Sequence, residues 1–542
     1  MFKSLVLFIL ITICFSCSQE AVFDAQIDEQ IIARHLATLS SDDFLGRMPC
    51  TVGEEKTVSY LIDEMKKIGL KPGNGDAYTQ DVPLVDITTF MKEEMIIDHK
   101  TGQLRLQPGE DYVVHTERTV DAIGLDNSEL VFCGYGIIAE NENWNDYAGM
   151  DMSGKTAVVL VNDPGFGSDD TDFFKGNTMT YGGRWSTKYD FADAVGADGL
   201  LIIHETSMAG YPWFVVQSSW SGSQQGLAGI DRSDDTGIKG WITLDAAKDL
   251  FQATGLDLSN MIKEAKKPGF RPTPLNATAT VAITTSYSTC TSKNVIGYIP
   301  GSTRPDEFVL YSAHWDHIGV GNVVEGDSIY NGALDNASGT STVLAIAETM
   351  ANAPVAPERS VVFLFVTAEE QGLLGSEYYA VNPLFPHDKT VANLNMDGVN
   401  PAGEMNDLTI TGMGHSEMDE VAKTAAEKQG RYTQNELEPE KGFFFRSDQF
   451  SFAKKGVPVL YAEGGYDHKE RGKEYAQQFK DEFTAKRYHA PSDEFDPATW
   501  NFGGMVQDGN LYLDIGWTLA NNQQWPKWYP DSEFSRPDNL KD

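Results

Sequence analysis

The chain has 542 residues, enough for more than one domain with its own core. It carries 42 Lys and Arg against 79 Asp and Glu, a formal charge of −37, which argues against a nucleic-acid partner because phosphate binding needs a basic surface. A hydrophobic fraction of 41% and 10 Trp mark a globular protein, in which acidity on this scale serves solubility.

Lys3 and the apolar run 5–13 read as a secretory signal, too short to span a membrane. Ser16-Cys17 and the polar Ser18-Gln19-Glu20 follow, and together they resemble a bacterial lipoprotein cleavage site. That resemblance implies a signal over residues 1–17, a lipid on Cys17 as the membrane attachment, and an exported protein at the periplasm or cell surface. The remaining cysteines, Cys50, Cys133 and Cys290, leave open one disulfide with a spare thiol or three buried thiols.

Apolar residues at helical spacing predict helices over 31–39 and 57–68, the second ended by Gly69. His35 lies on the first and reads as a packing or surface residue. From about Asp121 to Ser286 short strands mix with few helices. Strands are expected over 130–138, 154–163 (running into a polar turn), 199–205 and 241–244, and helices over 189–195 and 245–254. His204-Glu205 closes one of these strands and, lacking further partners, reads as structural. From Asn294 onward strands over 308–312, 360–366, 391–397 and 458–463 alternate with helices such as 341–351. The expected architecture is α/β, a mostly parallel sheet with helices on both faces.

In such sheets ligands bind beyond the carboxyl ends of the strands. His314, Asp335, Glu370, Asp397 and His489 each follow an expected strand or precede a helix there. Imidazole and carboxylate together suit Zn²⁺ or a similar ion, and five ligands suit two ions sharing one carboxylate. Glu369 adjoins Glu370 directly after a buried strand, where two acids are costly unless positive charge meets them. The competing reading places the pair at a helix N-terminus.

Five motifs carry a family resemblance: His314-Trp315-Asp316-His317, Gly332 to Gly339, Thr367 to Gly372, Asn395-Met396-Asp397, and Tyr488-His489 to Asp493. In this order they resemble the co-catalytic zinc aminopeptidases of metallopeptidase family twenty-eight. The stretches 39–47 and 446–458 are similar to further parts of that family, and 134–137 with 151–161 to an inserted protease-associated domain. The resemblance implies a zinc-exopeptidase (phosphorylase/hydrolase-like) fold, with catalytic parts over 24–120 and 287–530 and the inserted mixed β/α domain over 121–286. It implies peptide substrates cleaved at the N-terminal residue, and two Zn²⁺ per chain. His314 and Asp397 would bind one, Glu370 and His489 the other, with Asp335 between. It further implies Glu369 as general acid/base, Asp316 orienting His314, Tyr488 near the developing oxyanion, and a cis peptide at Asp335-Asn336. His317 is expected to support the site rather than bind metal. Leu334 and Gln449 stand where many relatives carry an acid and a His, which leaves substrate preference open. Three alternatives reuse the fold: a zinc carboxypeptidase holding a substrate carboxylate with Arg446 or Lys441, a glutaminyl cyclase, and a non-catalytic receptor-like surface protein.

Overall fold

The computed structural model describes residues 25–220 and 222–536; the expected signal and Cys17 lie outside them. Helix α1 (Glu29–Leu39) starts where the Asp28 carboxylate accepts from Gln30 N, and it buries Ile32, His35, Leu36 and Leu39. Helix α2 (Val52–Ile68) begins more than a turn before the expected Thr57 because Thr51 supplies the N-cap, and it ends at Gly69 with φ 89°.

The remaining elements that place the site follow in chain order. They are β1 (Thr79–Phe90), β2 (Ala122–Phe132), β3 (Lys155–Leu160), α3 (Trp185–Ala194), β4 (Gly199–His204), β5 (Ile238–Thr243), α4 (Leu244–Ala253) and β6 (Thr273–Ile299). Next come β7 (Arg304–His314), α5 (Gly339–Ala351), β8 (Arg359–Val366), α6 (Leu374–Val381), β9 (Thr390–Asn395), β10 (Val459–Glu463), α7 (Gly472–Lys486) and α8 (Phe502–Asn521). The strand expected over 130–138 stops at Phe132, because Gly134 and Gly136 take φ of 55° and 65° and turn the chain.

Strands β8, β7, β9 and β10 lie side by side and parallel. Every residue of β8 is buried, and its side chains divide by the strand period of two. Val361, Phe363 and Phe365 join Val343 and Ile346 of α5 and Leu511 and Ile515 of α8 in one core. Val362, Leu364 and Val366 join Tyr379 of α6, Phe450 and Phe452 in another. Both faces of the sheet are therefore covered, each buried side chain contributing about 1.5–3 kcal/mol before entropy is counted.

A second set of parallel strands, β2, β3, β4 and β5, forms a module with two apolar clusters of its own. Strands Met95–His99, Gly102–Leu106 and Tyr112–His115 give Met95, Ile97, Leu106, Tyr112 and Val114 to the larger of these clusters. Strand β6, 27 residues long, runs through both halves. Its first part pairs antiparallel with β2, and its later part with β1 and β8. A Cys50–Cys290 disulfide ties the loop before α2 to this strand, and Cys133 is a buried thiol, which settles the cysteine count left open above. Among the described residues no helix is long and apolar enough to cross a membrane.

Candidate metal centre

The four parallel strands deliver their carboxyl ends to one place. His314 is the last residue of β7, and Trp315 N donates to Val366 O at the end of β8. After β8 the chain turns through Ala368 at φ 51° into Glu369 and Glu370. Helix α6 begins only at Leu374, so the two acids lie in a turn and not in a helical first turn. The Asp316 carboxylate is wholly buried and shapes that turn: it accepts from Glu369 N at 3.1 Å and Glu370 N at 3.4 Å. Its expected role toward His314 is correspondingly weaker. The carboxylate stands 3.9 Å from His314 Nδ1, which lies 3.2 Å from the Asp316 backbone oxygen instead.

Asp335 precedes α5 at a cis Asp335-Asn336 peptide. The buried Asp493 carboxylate accepts from the backbone N–H groups of Leu334 and Asp335 and so fixes that loop. Asn336 ties it to the next one, donating to Met396 O and accepting from Gly398 N on either side of Asp397.

The expected ligands converge. His314 Nε2 is 3.1 Å from Asp397 Oδ1 and 3.3 Å from Asp335 Oδ1. His489 Nε2 is 3.0 Å from Glu370 Oε2 and 3.4 Å from Asp335 Oδ2. Each oxygen of Asp335 thus faces a different imidazole. The ligand atoms of His314, Asp335 and Glu370 lie within 4.8 Å of one another, as do those of His314, Glu369 and Asp397. Glu369 Oε2 stands 3.9 Å from His314 Nε2. His317 meets the expected ligand Glu370, with Nδ1 2.5 Å from Oε1, as a residue supporting the site would.

Burial by itself would lower the His314 imidazole, but Glu369 and Asp397 hold it well above its ordinary range. Burial likewise would raise Asp335, yet His314 and His489 hold it well below the carboxylate range. Glu369 is pushed far up by burial, with Asp397 and Glu370 adding to the shift against His314. Behind the cluster Arg47 is buried, and its guanidinium donates to the backbone oxygens of Trp315, Leu39, Asn331 and Gly332. Burial lowers it to about 10, while Asp316, Asp493, Asp335 and Glu370 pull the other way. One arginine does not balance this many acids. Among the described residues, neither oxygen of the buried Asp448 nor the Nε2 of His317 has a hydrogen-bond partner at bonding geometry. Ser376 stands beside Asp448, but its hydroxyl is directed to Leu373 O and Ser451 Oγ. A hard-to-borderline cation fits this donor set and its surplus of negative charge.

Other expected residues fall outside the cluster or at its rim. Tyr488 stacks on His489 with ring centres 3.9 Å apart and is half exposed. Gln449 is buried in a network, accepting from Asn395 Nδ2 and donating to Phe444 O. His35 packs against Tyr60, with Nδ1 at 2.7 Å from the phenol oxygen. His204 Nε2 meets Tyr211 O, and Glu205 caps a short helix through Met208 N, so neither approaches the centre. Arg47 and Asp493 were not singled out as site residues in the sequence. Both lie inside the quoted motifs, but the backbone groups they hold include ones 268 and 158 residues away.

Comparison with known proteins adds the family. Residues 294–513 match the model of Peptidase family M28. The matched segment is about two fifths of the chain. It contains all five expected metal ligands together with Asp316, Glu369 and Tyr488. The chain is 33% identical over 138 residues to the mouse aminopeptidase NAALADL1, covering 24% of this chain and 17% of the relative. It is 32% identical over 152 residues to the aminopeptidase YwaD of Bacillus subtilis (strain 168), covering 27% of this chain and 30% of the relative. The chain therefore spans less than a third of the length of these curated relatives. Among solved structures, an aminopeptidase from Aneurinibacillus sp. strain AM-1 aligns over 95% of this chain and 98% of its own, at 19% identity and a TM-score of 0.49.

Proposed function

We propose that the protein is a metal-dependent exopeptidase that removes N-terminal residues from peptides. The observation that carries this reading is Asp335, whose two carboxylate oxygens face His314 and His489 at 3.3 and 3.4 Å. A carboxylate so divided suits two Zn²⁺ per chain, one held with Asp397 and the other with Glu370. When bound, the zinc ions supply a lowered water pKa and polarise the scissile carbonyl. Glu369, held over the cluster by the Asp316-bound turn, takes a proton from the attacking water and returns it to the leaving amine as the C–N bond breaks. Tyr488, on the ring face of His489, is positioned to donate to the oxyanion. The same proposal includes export, a lipid anchor on Cys17 and a protease-associated character for the module. The apolar run 5–13 and the Cys50–Cys290 disulfide support an oxidising compartment.

The test compares an N-terminally free peptide with its acetylated twin, for wild type and Glu369→Gln, with zinc content measured in each. Expected are about two zinc ions per chain in both proteins and cleavage of the free peptide only, falling by at least about 1000-fold in the variant. Release of the C-terminal residue from both peptides would replace this reading with a carboxypeptidase, and absence of zinc would remove the site.

A further inference from the structure

One stretch of β6 has an open edge. Thr284 is in register with Phe90 of β1 and Ala122 of β2, and Val295 with Thr79 of β1 and Phe365 of β8. A strand has two sides, so β1 fills one of them along this whole length. Strands β2 and β8 share the other and leave a gap between them. Ile296 N donates to Tyr78 O on the β1 side, and Thr285 N to Asp121 O on the other. The register with β1 is unbroken from Thr284 to Val295, so the backbone groups alternate and those of the odd-numbered residues face the gap. Lys293 O is taken there by Trp315 Nε1 at 3.0 Å. The N–H and C=O groups of Tyr287, Thr289 and Thr291 make no hydrogen bond on that side among the described residues.

This edge carries none of the usual protections against pairing. Ser286-Tyr287-Ser288-Thr289-Cys290-Thr291 has no charge, no proline and no bulge, in a chain of net charge −37. Tyr287, Ser288, Thr289 and Thr291 are exposed. At one end the gap meets the module, where Thr285 is bonded to Asp121. At the other it reaches the turn that carries Glu369. There Ser292 Oγ lies 2.6 Å from Thr367 Oγ1, Asn294 Oδ1 accepts from Thr367 N, and Ala368 shares an apolar cluster with Val82 and Leu84 of β1. The Cys50–Cys290 disulfide pins the strand within the gap. Unmet donors and acceptors at every second residue match one chemistry, the backbone of an extended peptide. Strands β2 and β8 both run antiparallel to β6. A strand continuing them through the gap begins at Thr291, beside the Glu369 turn, and ends at Tyr287, beside the module. Its N-terminus therefore points at the metal centre.

We propose that the edge of β6 from Tyr287 to Thr291 is a docking strand for the substrate's main chain. An extended peptide pairs antiparallel with it, its N-terminus at the Glu369 turn and its tail running toward the module. The substrate's class rests on the peptidase reading, and the test keeps the two apart. Hydrolysis by the zinc-loaded protein is measured for leucyl-alaninamide, for a heptapeptide amide of leucine and six alanines, and for heptapeptides N-methylated at one alanine at a time. Calorimetry measures binding of the same heptapeptides with the first peptide bond reduced to CH2–NH, which cannot be hydrolysed. The heptapeptide is expected to exceed the dipeptide at least about tenfold in kcat/KM. N-methylation should lower kcat/KM and binding at least about fivefold at alternate residues of the tail, and less than about twofold at those between. Thr289→Pro removes an N–H that faces the gap while leaving the ladder with β1. It should bring the length preference below threefold at wild-type zinc content. Equal hydrolysis of short and long peptides would overturn the docking strand, as would N-methyl effects without a period of two, or a length preference unchanged in Thr289→Pro. Cleavage without that period leaves the peptidase reading standing alone. Periodic binding with no cleavage of any peptide ends the peptidase reading and keeps the docking strand, and absence of any binding overturns it.

Discussion

Several described strands end in a histidine with an acid close by, and two of these ends have opposite fates. In the module, β4 ends in His204-Glu205, whose polar atoms are spent locally on Tyr211 O and Met208 N. In the other half, β7 ends in His314-Trp315-Asp316, and the His314 imidazole faces three carboxylates from three other loops. Both histidines are buried at the end of a parallel strand. The difference is convergence: a metal centre requires several strand ends to deliver donors to one point, with their backbones held by acids such as Asp316 and Asp493. A histidine beside an acid does not make a site until its neighbours arrive.

The strongest way to break that comparison is to remove the point of convergence. Asp335→Asn takes a charge from between the two imidazoles. Zinc content is expected to fall below half of wild type and kcat/KM to drop by at least about 1000-fold, read by metal analysis and peptide hydrolysis. A smaller effect sharpens the contrast among buried histidines. His35 has no carboxylate at its ring; burial, followed by the Arg34 and Lys67 charges, pushes it down to about 3. It is neutral in the folded protein, whereas the unfolded chain takes up a proton near pH 6.5. The contribution of His35 to stability is therefore complete above pH 6.5 and is lost as pH falls toward 3, by at most about 1.4 kcal/mol per pH unit. Denaturant unfolding between pH 7 and pH 5 should show a shallower loss in His35→Gln than in wild type. The smallest effect is expected in the module. His204→Gln should leave zinc content unchanged and kcat/KM within about twofold, at a cost near 1 kcal/mol from the lost bond to Tyr211 O.

The parallel strands and the ligand set were legible because each strand is a short apolar run ending in a polar residue that its surroundings must explain. Other elements lacked such a signal. Helix α7 buries only Ala476, so it has almost no apolar stripe to find. Helix α8 is buried on nearly all sides and is interrupted by glycines. At Gly516 a Cβ would stand 1.7 Å from Tyr311 Oη, so packing against β7 excludes a side chain that helix propensity would favour. The middle of β6, from Thr284 to Lys293, is largely exposed and rich in Ser and Thr, and its ladder with β1 rather than any hydrophobic alternation keeps it extended. The roles of Asp493 and Arg47 were hidden for a different reason. They act on backbone groups, whose positions no side-chain pattern encodes.

Strand β6 has a mechanical consequence. A chain divided into two bodies usually swings about a linker, but here a single hydrogen-bonded strand serves as a beam common to both. Swinging one half against the other would require breaking ladder bonds along that beam, not rotating a few free dihedrals. The spacing of the two halves is therefore set by the twist of the strand. The two halves are joined as the arms of a fixed calliper are, without the hinge of a jaw.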